Sequence, residues 1–144
     1  MVSLRLWLRL LSCTRLIENE IRGNLRESFD TTLPRFDVMA QLHRYPEGLR
    51  MGDISQRLMV TNGNITGIID QLAQEGLVER TTDANDRRAY VARLTPAGLA
   101  AFEEMAEQHR EWVVALTGGL TDEEHQQLFA LLTKLRDSLH EKLA

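Results

Sequence analysis

Cysteine occurs once in the 144 residues, at Cys13, so no disulfide can form within the chain. That usage suits a reducing compartment, and a cytoplasmic protein is expected. Proline occurs three times, and there is no low-complexity tract and no internal repeat. Nothing therefore marks a linker, and one continuous domain is expected over 1–144. Long apolar runs are missing too. The stretch from Leu4 to Leu11 is broken by Arg5 and Arg9, which denies it the uninterrupted core of a signal peptide. No stretch supplies the ~20 apolar residues of a membrane span, so no membrane partner is expected. His43, His109, His125 and His140 are scattered, whereas a metal site needs clustered ligands. There is no glycine-rich phosphate loop and no Ser-His-Asp order. These absences argue against an enzyme, and neither a metal, a cofactor nor a catalytic residue is expected.

What is present is an ordinary globular composition, 43% apolar and 26% charged, with a formal net charge of −4. The charge is unevenly spread. Residues 1–49 carry 7 Lys/Arg and 6 Asp/Glu, residues 50–95 carry 6 and 6, and residues 96–144 carry 4 and 9. The acid excess lies in the last third, so the overall sign does not veto a polyanionic partner for the middle of the chain.

Helical spacing runs through residues 4–29, with Leu4, Leu8, Leu11, Ile17, Ile21 and Leu25 in step. Apolar residues fall on more than one face there, which suits a helix that meets a partner, with packing inside one subunit as the alternative. Thr32-Leu33-Pro34 opens a second helix, the proline lying in the first turn where its missing N–H costs nothing. Pro46 and Gly48 close it. A short helix fits Met51 to Leu58, and a longer one runs from an N-cap candidate at Thr61 to about Gln74, with Gly76 as its stop. Leu77–Thr82 and Tyr90–Leu94 read as strands joined by an exposed, mobile loop from Asp83 to Arg88. Thr95-Pro96 starts a long helix. Gly118-Gly119 breaks it, and the capping box Thr121-Asp122-Glu123-Glu124 opens the last, leucine-rich helix. The order short helix, longer helix, basic-tipped hairpin, helix is the plan of a winged helix-turn-helix. The expected fold class is mainly α with a small β-wing, in a homodimer interlocked through its first and last helices.

On a wheel of the helix after Thr61, the residues Ile65, Ile68, Ile69 and Leu72 share one side. The opposite side centres on Gly63 and Gly67, flanked by Asn62, Asn64, Thr66 and Gln71. Each glycine costs roughly 1 kcal/mol against alanine inside a helix. Close approach of a base edge or a phosphate explains them, and asparagine and glutamine suit adenine while threonine suits phosphate or a thymine methyl. Arg87 and Arg88 at the hairpin tip suit a narrow minor groove. Asp86 is expected to orient one of these arginines, and Asp70 to pair with an arginine of the wing. The alternative for both elements is a solvated polar surface. The DNA-binding set is thus Thr61, Asn62, Gly63, Asn64, Thr66, Gly67, Gln71, Arg87 and Arg88, supported by Asp70 and Asp86.

These residues resemble the MarR (multiple antibiotic resistance regulator) family over nearly the whole chain. The resemblance is carried by Asp86-Arg87-Arg88 through Leu94-Thr95-Pro96-Ala97-Gly98, by Leu72 through Gly76-Leu77-Val78-Glu79-Arg80, and by Leu33-Pro34-Arg35-Phe36. It implies a dimer on a pseudo-palindromic double-stranded DNA operator, with residues 31–98 as the winged helix-turn-helix and residues 1–30 and 100–144 as dimerisation helices. It implies repression as the usual mode and release by a small effector that favours one state. The opening segment, with TTLPRFDVMAQL and VTNGNITG, is similar to a branch that regulates hydroxycinnamate breakdown and senses aryl-CoA thioesters. An aromatic acid or its CoA thioester is the effector so implied, with Trp7, Leu11, Arg35, Phe36, Met39, His43, Met105 and Trp112 as ligand-binding residues. Arg5, Arg9, Arg35 or Arg44 would meet the CoA phosphates. Two alternatives stay open: a thiol-redox sensor using Cys13, and a winged-helix protein-interaction module without DNA binding.

Overall fold

A computed structural model describes residues 1–58, 62–86 and 88–144, excluding the side chains of residues 62 and 63. The chain divides into two compact units, Met1–Arg110 and Glu111–Ala144, with the boundary inside the fifth helix.

In the first unit, α1 spans Val2–Phe29, α2 Leu33–Arg44, β1 Leu49–Arg50, α3 Met51–Leu58, α4 Asn62–Gln74, β2 Val78–Thr82 and β3 Tyr90–Leu94. Helix α5, Pro96–Leu116, leads into the second unit, which carries α6, Asp122–Leu143. Helix α1 stops where Asp30 turns left-handed, at φ 49°. Two residues later Thr32 caps α2, its Oγ1 accepting the Arg35 N–H at 3.4 Å. At the end of α4, Gly76 adopts φ 76°. Its N–H donates to Ala73 O and the next N–H, of Leu77, to Leu72 O. That pair of bonds satisfies the last helical carbonyls and reverses the chain into the wing.

The sheet is antiparallel, in the order β1-β3-β2. Strand β3 is central, with Val78 opposite Leu94, Thr82 opposite Tyr90, and Leu49 opposite Ala92. The strand β1 has no counterpart among the sequence-based expectations. Two residues carry no alternating pattern, and this strand exists only because β3 supplies a partner some forty positions later.

The core of the first unit gathers Leu25 of α1, Val38, Met39 and Leu42 of α2, Ile54 of α3, and Ile65, Ile69 and Leu72 of α4, each essentially inaccessible to solvent. Burying side chains of this size contributes roughly 2 kcal/mol apiece, so α4 is fixed by its apolar side while its polar side stays in water. Only Ile21 and Leu25 of α1 are buried. Most of its first half is exposed, Trp7 at 55%, as is Leu16 beyond it at 68%.

In the second unit the capping box forms as expected. Glu124 N–H donates to Thr121 Oγ1 and Thr121 N–H donates to Glu124 Oε1. The Thr121 N–H, with a smaller contribution from the Thr121 hydroxyl, holds the Glu124 carboxyl below its usual pKa. Helix α6 buries none of its own residues, leaving Leu128, Leu131, Leu132, Leu135 and Leu139 accessible. Among the described residues, no helix is long and apolar enough to cross a membrane.

Candidate nucleic-acid interface

Helix α4 sets the interface. Its apolar side, Ile65, Ile69 and Leu72, faces the core, and Ile68 is half-buried. Asn64, Thr66, Gly67 and Gln71 are exposed on the far side. A Cβ built on Gly67 would meet nothing within 4 Å. Packing within the chain therefore does not require a glycine there. Thr61 and Arg87, and the side chains of Asn62 and Gly63, lie outside the described residues.

Ion pairs hold α4 and the wing. Arg35 of α2 sends Nη1 and Nη2 to the two carboxylate oxygens of Glu75 at 2.6 and 2.7 Å, and its Nε to Thr31 Oγ1 at 3.2 Å. The bidentate arrangement keeps the Glu75 carboxyl below its ordinary pKa. Arg80 of β2 donates from Nη1 to Asp70 of α4 at 2.5 Å. Asp70 therefore meets an arginine on the first strand of the wing.

At the base of the wing, Arg50 donates from Nε to Asp83 at 2.6 Å. Asp83 also accepts the Asn85 N–H at 2.8 Å. These backbone and guanidinium donors keep its carboxyl below the ordinary range, the Asn85 N–H contributing most. Asp86 accepts the backbone N–H of Arg88 at 3.0 Å. Among the described residues this bond holds the turn. Arg88 itself is exposed. Arg57, at the end of α3, lies over the Tyr45 ring at 4.3 Å.

Arg50, Asp83, Arg80 and the Arg35–Glu75 pair escaped sequence reading. Their partners are 10 to 40 positions apart, and no local pattern announces such pairs. The only signal was the excess of arginine over lysine in a segment whose carboxylates need fixed geometry.

The residues expected around an effector are placed differently from one another. Phe36 stacks on Phe102 at 5.3 Å and on His109 at 4.7 Å, and His43 tilts against Phe102 at 4.9 Å. Phe36, Met39 and Met105 are buried in this packing. Burial holds the His109 pKa below its usual value. His43 Nε2 lies 3.6 Å from Glu103. Trp7 is exposed and Leu11 half-buried on α1, and Trp112 belongs to the second unit. Arg35, committed to Glu75, would have to abandon that pair to meet a phosphate. Cys13 is exposed on α1. Among the described residues, no three His, Cys, Asp or Glu side chains are grouped as metal ligands.

Comparison with known proteins follows the same outline. The sequence profile of the MarR family matches residues 31–90. An HTH-type transcriptional regulator of Bacillus subtilis, YkoM, is 32% identical over 118 residues, 81% of this chain and 74% of that protein. The crystal structure of a MarR family transcriptional regulator from Silicibacter pomeroyi superposes with a TM-score of 0.81 at 33% identity, covering 95% of this chain and 94% of the other. A mutant MarR from E. coli, in complex with operator DNA, gives a TM-score of 0.81 at 25% identity, over 91% and 93% of the two chains. With an exposed polar helix beside an arginine-bearing hairpin, and with relatives of this identity and coverage, the chain belongs to the MarR family of DNA-binding transcriptional regulators.

Proposed function

We propose that the protein is a homodimeric repressor that binds a pseudo-palindromic operator through two copies of α4 and the wing. The observation that carries this reading is the exposed Asn64, Thr66, Gly67 and Gln71 on a helix whose other side is locked into the core. Asn62, Gly63 and Thr61 extend the same set by sequence, as do Arg87 and Arg88 at the tip. Residues 31–98 act as the reading lobe. Residues 1–30 and 100–144 supply the dimer contact, supported by the apolar side chains that α1 and α6 leave accessible. Two-fold symmetry then sets the half-sites about one turn, ~34–36 Å, apart.

Fluorescence anisotropy on duplex DNA from upstream of the protein's own gene tests the reading, with sedimentation to establish the dimer. Salt-dependent saturable binding is expected. Arg88→Ala removes a guanidinium from an exposed turn and is expected to weaken binding about tenfold and lower the slope of log affinity against log salt by about 1. A wild type that does not bind duplex DNA, as an interaction module would not, refutes the proposal. Loss of reporter repression on deletion of the gene separates repressor from activator.

For the effector, we propose an aromatic acid or its aryl-CoA thioester, and a role in aromatic catabolism. The resemblance to the hydroxycinnamate branch supports this. Thermal shift with coumaroyl-CoA against free coumarate decides it. A shift with neither compound ends this part of the proposal and leaves operator binding untouched.

A further inference from the structure

The 13 residues of α4, Asn62–Gln74, include neither lysine nor arginine, and their only acid is Asp70. The exposed side of the helix is therefore built of amides, a hydroxyl and glycine. At about 100° per residue, Asn64 and Gln71 share one flank of that side. Thr66 and Asp70 share the other, and Gly67 lies between the two flanks. Among the described residues, neither the Asn64 nor the Gln71 side-chain amide makes a hydrogen bond within the chain.

An amide offers a donor and an acceptor side by side. In the major groove only adenine presents the matching pair, N7 accepting and the N6 amino group donating. Guanine presents two acceptors, N7 and O6, and its usual reader is a guanidinium or an ammonium. The helix carries neither. Arginines from neighbouring elements are engaged: Arg80 donates to Asp70, Arg35 is bidentate on Glu75, and Arg57 lies over the Tyr45 ring. The N4 amino group of cytosine suits a carboxylate, and the one carboxylate of α4, on Asp70, already accepts from Arg80.

On the operator-binding reading, we infer that α4 reads adenine and not guanine. Each half-site then carries A·T pairs where the helix lies in the major groove, with Asn64 and Gln71 as the adenine readers. Attraction to phosphate falls to cations off the helix, the exposed Arg88 among them.

Selection from a random duplex library with the full-length protein tests this. Wild type, Asn64→Ala, Gln71→Ala and Gly67→Arg are selected in parallel. Positions whose preference the alanine variants lose are those the two amides read. Adenine is expected there, favoured over guanine at least tenfold. Replacing those adenines by 7-deazaadenine removes N7 and leaves the minor groove unchanged. Wild-type affinity is expected to fall about tenfold per position, whereas a preference set by duplex shape would survive. Gly67→Arg puts a guanidinium into open space and is expected to bring guanine to one position of each half-site. All three variants are expected to melt no lower than wild type, because alanine and arginine are better helix formers than the residues they replace. No enrichment of any duplex refutes operator binding and the adenine readout with it. Guanine or cytosine at the amide-dependent positions, unchanged binding of the 7-deazaadenine duplex, a wild-type motif kept by both alanine variants, or no new guanine with Gly67→Arg overturns the adenine readout alone.

Discussion

Gly98→Ala is expected to destabilise the protein by about 3 kcal/mol or more, the upper end for overpacking a close contact. A Cβ at this position would lie 1.9 Å from the carbonyl oxygen of Leu77 and 2.8 Å from its carbonyl carbon. Both are backbone atoms, so no side chain can rotate away. The same Leu77 oxygen accepts the Thr95 N–H at 3.1 Å. Thr95 Oγ1 in turn donates to Gly76 O at 2.7 Å and accepts the Gly98 N–H at 3.0 Å. The residues that end α4 and those that begin α5 are thus joined by two hydrogen bonds from Thr95, whose hydroxyl also caps α5, and one methyl group forces them apart. Urea denaturation at fixed protein concentration measures the effect. A midpoint within experimental error of wild type would show that the junction yields, and that the close approach is incidental.

Gly67→Glu is expected to separate stability from operator binding. There is open space around this position, and glutamate is a better helix former than glycine, so stability should rise by up to ~1 kcal/mol. Yet the new carboxylate sits on the side of α4 proposed to face DNA, where phosphates crowd. Operator affinity is expected to fall at least a hundredfold, about 2.7 kcal/mol, from charge repulsion and lost close approach. Anisotropy titration and a melting curve on the same preparation test both halves. A stable variant that binds operator like wild type would remove α4 as the reading helix.

Much of the fold was legible because its signals are local. Thr32 with Pro34, the box Thr121–Glu124, and Gly76 after an apolar-periodic run each mark an end within a few residues, and each cap is present. The side of α4 that packs was readable from Ile65, Ile69 and Leu72 alone. What escaped depends on partners distant in sequence. Strand β1 needs β3, Arg50 needs Asp83, and Arg35 needs Glu75. Sequence named no particular arginine for Asp70, and the one beside it is Arg80 of β2, ten positions on. The residues Phe36, His43 and Met105 illustrate why a ligand pocket is hard to read from sequence. Aromatic spacing on facing helices looks the same whether the space between them is empty or, as here, filled by Phe102 and His109.

The clamp between Asp70 and Arg80 joins the helix proposed to read DNA to the first strand of the hairpin, while Glu75 ties the end of that helix back to Arg35. Helix and hairpin consequently form one stiff tool, with little freedom to bend toward a displaced target. In a two-headed assembly, adaptation then falls to the hinge between heads. A spacer one base pair too long turns the far target by about 34° around the duplex axis, a mismatch that neither head can absorb alone.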